Sequence, residues 1–196
     1  MKKYLLCFIM LAGATLLQAQ VQRTQVQQST TTQAATTTFT LVNGKLGPVQ
    51  VGSKFANIPA TYAGLYDKYI HETQTMEDMD GEWTVEYYQF TKAGKNVFRV
   101  DLDDTKKISS ITLQEGSSSI VKTSDGFYVG YPARTLFTKK RMEWSTYYDG
   151  CTFATSGNFT YKVNDEDLVN IDIPQNVNHF KPTAKVSSII YSTMEY

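Results

Sequence analysis

The sequence predicts an α+β fold: a tandem duplication of one unit, each a helical stretch followed by a three-stranded antiparallel sheet, with the helices packed on one sheet face. Three observations lead there. Val51-Gly52 recurs as Val129-Gly130, and Lys107-Ile108-Ser109-Ser110-Ile111 recurs as Lys185-Val186-Ser187-Ser188-Ile189, both at an offset of 78. Between those anchors the offset is 61, matching Glu82-Trp83 with Glu143-Trp144 and Phe98 with Phe159. Strand-like alternation then follows each Val-Gly pair, as in Trp83-Val85-Tyr87 and Phe98-Val100-Leu102.

The amino terminus reads as an export signal. Lys2 and Lys3 precede an apolar run from Tyr4 to Leu17, and Leu17-Gln18-Ala19 offers a small-residue cleavage site. The run is too short to span a bilayer, which takes about 20 apolar residues, so the mature chain carries no membrane span. Residues 1–19 are therefore assigned as signal peptide, which makes the protein exported, periplasmic or extracellular. Residues 20–38 hold six Gln and seven Thr without an apolar period. Such a stretch cannot bury enough to offset its ordering entropy, and it reads as a flexible tether.

The first repeat is placed at 39–119 and the second at 120–196. In the first, a helix is expected over Ser53 to Ile58, stopped by Pro59. A second helix is expected around Leu65, Tyr66, Tyr69 and Ile70, whose spacing is helical. Pro132 to Phe137 is the helical counterpart in the second repeat. The last strands are Lys107 to Leu113 and Ala184 to Thr193, with turns at Asp103-Asp104 and Asn164-Asp165. The polar excursion 166–183 separates the second repeat from the first. Its Ile171, Ile173, Val177 and Phe180 predict a packed loop or lengthened hairpin. A lone unit of this size would be marginal, so the two are expected to share one core or one continuous sheet, their edge strands pairing across the junction near Gly116 to Ser119.

Two helix-then-sheet units, opened by Val51-Gly52-Ser53 and Val129-Gly130-Tyr131, resemble the beta-lactamase-inhibitor-protein-like fold and its single-unit SmpA/BamE-type relatives. That resemblance implies an open sheet face that grips a partner protein. It carries over no contact residue position by position.

Composition removes several activities. The 196 residues include 19 basic and 19 acidic side chains, and loss of Lys2 and Lys3 leaves the mature chain at −2. That balance does not suit a nucleic-acid partner. His71 and His179 lack metal-ligand spacing to a second His or Cys, and no motif implies a cofactor. Asp78-Met79-Asp80-Gly81 resembles part of a calcium loop, but Met76 and Tyr87 fall where the oxygen ligands belong. Cys151 takes the repeat position of Phe90 and reads as a packing residue.

Trp83, Tyr87, Trp144 and Tyr148 share the apolar side of the alternation with Val85 and are expected in the core. Tyr88 and Tyr147 then project from the opposite face, beside Thr84 and Ser145, with Arg99 and Lys162 from neighbouring strands. These six are the candidate binding residues, since Tyr and Arg dominate interface hot spots; the same face read plainly is a solvated sheet surface. The leading functional expectation is a non-enzymatic binding module that presents this face to a protein or envelope component. A glycan or lipid binder, and a hydrolase using Asp149, Asp165 or Glu166, are the alternatives. The sequence fixes no oligomeric state.

Overall fold

The computed structural model describes residues 38–78, 81–140, 142–147 and 151–193. Apart from Thr38, the expected signal peptide and tether lie outside them. The chain opens with β1 (Phe39–Leu41), β2 (Lys45–Leu46) and β3 (Val49–Gln50), followed by a single 3-10 turn at Phe55–Asn57. Four long strands come next: β4 (Lys68–Asp78), β5 (Gly81–Lys92), β6 (Lys95–Leu102) and β7 (Ile108–Leu113). After β8 (Val121–Thr123) and the helix α1 (Ala133–Lys139) come β9 (Glu143–Tyr147), β10 (Cys151–Ser156), β11 (Phe159–Asn164) and β12 (Val186–Ser192).

Eight of these strands form one antiparallel sheet in the order β4-β5-β6-β7-β12-β11-β10-β9. Its centre is the β7–β12 pair, where Ile189 lies opposite Leu113 and Tyr191 opposite Ile111. β1 pairs in parallel with β8, and β2 with β3 in a small hairpin.

The predicted α+β tandem of helix-then-sheet units is overturned: the fold is mostly β, and α1 is the one α-helix among the described residues. The expected helix over Ser53 to Ile58 shrinks to the 3-10 turn, capped by no side chain. At the second expected helix, Leu65 and Tyr66 are buried in a turn where the Tyr62 carbonyl accepts both their amides, at 3.0 and 3.1 Å. Tyr69 and Ile70 already belong to β4, on opposite faces. Aromatic and β-branched residues (Tyr69, Ile70, Thr73, Thr75) favour that pleated strand. α1 does form, starting behind Pro132 and running two residues past Phe137.

The Val-Gly anchors have a clear structural use. Gly52 (φ +85°) donates its amide to the Ile108 carbonyl at 2.7 Å, and Gly130 (φ +92°) donates to Val186 at 2.8 Å. Each positive φ favours glycine. The Trp83–Trp144 match does not survive: Trp83 lies on β5, second from one edge, and Trp144 on β9, the other edge. Opposite Phe98 stands Phe90, and opposite Phe159 stands Ser156, so Cys151 does not take the place of Phe90.

The core lies on one face of the sheet. Phe90, Phe98, Val100, Ile111, Leu113, Tyr161, Ile189 and Tyr191 pack there against Leu41, Leu46, Val49, Leu65, Tyr66, Phe127 and Leu136. The excursion is a packed loop that adds a second cluster, in which the buried Phe180 meets Phe137 and Trp144 at centroid distances of 5.6 and 5.0 Å. Arg134 secures it by donating Nε and Nη2 to the Phe180 carbonyl at 2.9 and 2.7 Å. Ile173, expected as an anchor, is exposed.

Candidate functional site

The second face of the sheet carries the polar chemistry. Register defines it: Ile70 opposes Gln89, Gln89 opposes Arg99, Arg99 opposes Thr112, Thr112 opposes Ile190, and Ile190 opposes Thr160. Directly opposed residues point to the same side of an antiparallel sheet, so these share one face. Apart from Val97 and Cys151, the buried apolar side chains of the eight strands fall on the other side.

One end of this face is an ordered network. The Arg99 guanidinium sits 3.9 Å from the centroid of the Tyr87 ring, and its Nε meets the Asp101 carboxylate at 2.5 Å. Ser110 donates its hydroxyl to the second Asp101 oxygen at 2.5 Å, and Tyr87 donates to Glu72 at 2.5 Å. The Tyr87 phenol is raised above its ordinary pKa, first by this hydrogen bond to Glu72, then by burial and the Glu72 charge. A cation held flat on a tyrosine and flanked by two carboxylates is a rigid, amphipathic surface: its side chains lose little further freedom on contact with a partner. Towards the other end, the Lys162 ammonium lies 5.3 Å from the centroid of the Phe153 ring. Phe153 in turn opposes Ser145.

Of the six expected binding residues, Arg99, Lys162 and Ser145 belong to this face. Arg99 and Lys162 do not touch: β7 and β12 separate their strands, roughly 14 Å at normal strand spacing. Tyr147 falls in the same register row, opposite Cys151. Tyr88 and Thr84 belong to the core-side face instead. Tyr88 opposes Val100, and its ring stacks on Phe55 at 3.5 Å with an interplanar angle of 9°. Burial is the main cause of its raised phenol pKa, followed by the nearby Glu86 charge. Thr84 opposes Thr75 and is exposed. The parity of β5 is set by Phe90 over the core, which puts Tyr87, not Tyr88, on the second face. Tyr87 was missed for that reason, and its sequence signal was the Phe90–Phe98 pairing across the Ala93-Gly94 turn. Glu72 was missed because its segment reads as following a helix, while Asp101, Ser110 and Phe153 carry no sequence signal beyond their place on polar strand rows.

No family model matches this chain, and no curated protein does. Among solved structures, it is similar to the crystal structure of the uncharacterized protein YfeY from Escherichia coli. The identity is 16% and the TM-score 0.43, over 66% of this chain and 83% of that one. So slight a likeness transfers neither fold nor function, and the site rests on its own geometry.

A concavity lies between α1 and β9. It is an open groove of about 310 Å³ lined by Phe137, Thr138, Lys140, Met142 and Trp144. The Lys140 ammonium is paired with Asp125. Of the carboxylates considered for hydrolysis, Asp165 accepts the Thr152 hydroxyl at 2.8 Å and Glu166 is exposed, while Asp149 lies outside the described residues. Met79 and Asp80 of the calcium-like segment also lie outside them. No helix among the described residues is long and apolar enough to cross a membrane.

Proposed function

We propose that this chain is an exported, non-enzymatic binding module that holds a protein or other envelope component on the second face of its eight-stranded sheet. The observation that carries the reading is the Arg99–Tyr87 stack, braced by Glu72 and Asp101 on the face opposite most of the core. Arginine and tyrosine are the side chains most often found to dominate protein interfaces, and here both are already immobilised. The reading keeps the gripping sheet face that the beta-lactamase-inhibitor resemblance implied, but on a different residue set. Thr112, Ile190 and Thr160 form a flatter strip between the Arg99 and Lys162 ends, suited to backbone or small side chains of a partner.

The test is capture from the native host's envelope fraction by the chain and by an Arg99→Ala/Lys162→Ala variant shown by circular dichroism to be folded. A component retained by the parent and held at least about tenfold more weakly by the variant is the expected result. Equal retention by both, or nothing enriched over background, removes the reading.

The groove beside α1 favours a second reading, a glycan site. Trp144 and Phe137 supply apolar ring surface, with the Thr138 hydroxyl and Lys140 ammonium at the rim. Its openness suits a sugar better than a lipid tail, which would need an enclosed cavity. Titration with oligosaccharides, followed by tryptophan fluorescence of the parent and of Trp144→Phe, decides it; a flat response in the parent discards this reading.

A further inference from the structure

We infer that the outer edge of β4 pairs with β4 of a second copy of this chain, antiparallel and centred on Thr73, to join two sheets into one. β4 is the first strand of the sheet order, and its eleven residues pair only with β5 among the described residues. The β4–β5 hairpin outruns its neighbours: β5 pairs with β6 only from Tyr87 onward, so 81–86 and the facing part of β4 form a two-stranded arm. Such ribbons are marginal in water, and a long exposed edge is a template for another strand wherever its charges find complementary partners. β4 contains neither proline nor a register shift that would blunt it.

Sequence along β4 then selects the partner. A two-fold axis perpendicular to a continuous antiparallel sheet must pass through a residue, because opposed side chains have to share a face. With Thr73 on the axis, all eleven residues are paired and Ile70 meets Met76 of the other copy. These two are exposed large hydrophobic residues of the strand, at 46% and 38%. The same register opposes Lys68 to Asp78, Glu72 to Gln74, and His71 to Thr75, so no like charges meet. Neighbouring registers lose this. An axis at Glu72 sets that carboxylate against its own copy, and one at Gln74 places Ile70 opposite Asp78. An axis at Thr75 opposes Glu72 to Asp78. Hydrophobic, charge and length complementarity therefore coincide in one register, and the occupant it fits is the chain itself.

Sedimentation velocity on the purified chain, over a range of concentrations, is expected to show twice the chain mass. Ile70→Glu should return it to the monomer by placing a carboxylate against Met76. Adding Met76→Lys should restore the dimer. Within one chain positions 70 and 76 lie about 20 Å apart along the strand, so the rescue reports contact between copies. Thr73→Cys should cross-link under mild oxidation well above the parent, because a residue on the axis faces itself at about 4.5–5.5 Å, inside the disulfide range. Thr75→Cys, on the same face but displaced by about 13 Å from its copy, should stay at the parent's level. A parent that remains monomeric throughout overturns the inference. So does an Ile70→Glu variant that stays dimeric, a failed Met76→Lys rescue, or equal cross-linking at 73 and 75.

Discussion

Tyr161 offers a sharp test of how this core is balanced. Its side chain is fully buried on β11, beside the central pair of strands, and its hydroxyl has no hydrogen-bond partner among the described residues. The Thr123 hydroxyl acts on it, yet burial prevails and pushes the phenol up to about 12. Thr123 already accepts the Phe127 amide at 3.1 Å. A buried hydroxyl left without a partner costs about 1–3 kcal/mol. Tyr161→Phe removes that cost and leaves a void on the order of 10 Å³, smaller than one water. At about 24 cal/mol per Å³ the void costs only about 0.2 kcal/mol. The variant should therefore be more stable by about 1–3 kcal/mol, raising the melting temperature by about 2–4 °C per kcal/mol. Urea unfolding is the assay, with the slope expected to stay unchanged. Tyr66→Phe is the contrast, because Tyr66 donates its hydroxyl to the Pro59 carbonyl at 2.8 Å; its loss should cost about 1 kcal/mol. If Tyr161→Phe destabilises by as much as Tyr66→Phe, the Tyr161 hydroxyl is bonded, with Thr123 as its partner, and the reasoning fails.

Four further outcomes follow from the same packing. Tyr66 and Tyr161 both titrate near 12 in the folded chain against 10.0 ordinarily, each chiefly because of burial. Their stabilising effect is complete below pH 10 and lost as pH rises towards 12, so urea midpoints should fall over that window and fall less in Tyr161→Phe. Phe180→Ala should cost about 3–5 kcal/mol and expose 166–183 to limited proteolysis; an unchanged cleavage pattern would mean the loop is held without that ring. Gly116→Ala should destabilise by about 1–3 kcal/mol, since a Cβ there would sit 2.5 Å from the Asn96 carbonyl oxygen. A neutral result in thermal melts would show that this turn gives way. Arg99→Ala should lower stability by less than about 1 kcal/mol, because its ion pair is partly exposed. A loss above about 2 kcal/mol would make Arg99 a structural residue and weaken its claim to a partner.

The parts of the fold legible in the sequence are those where alternation runs directly over the core. Phe98-Val100-Leu102, the Lys107–Ile111 segment and its counterpart at 185–189 became β6, β7 and β12 because the large apolar side chains of each strand fall mainly in one row over the core. β4 was illegible for the opposite reason. Leu65 and Tyr66 are buried in a turn and Tyr69 is half-buried in a strand, so residues from two elements together imitate a helical stripe. Parity on β5 was misread because aromatic side chains occupy both faces at Tyr87 and Tyr88, and only the pairing of Phe90 with Phe98 breaks the tie. The faces of Arg99 and Lys162 do not depend on β5, since each sits between buried apolar neighbours on its own strand.

The position of the core also explains why the candidate surfaces lie where they do. Residues beneath β6, β7, β11 and β12 are committed to packing, and changing them trades directly against stability. The second sheet face and the β4–β5 arm carry little of that burden: their order comes from side-chain networks and from strand pairing. Glu72 belongs to both, bonded to Tyr87 on the face and seated on the β4 edge opposite Gln74 in the inferred dimer. A second copy paired along β4 would therefore extend the Arg99–Tyr87 surface across the two-fold axis without covering it. A partner with two equivalent segments would then meet two such surfaces on one continuous sheet, and would bind the dimer more tightly than a single segment by avidity alone.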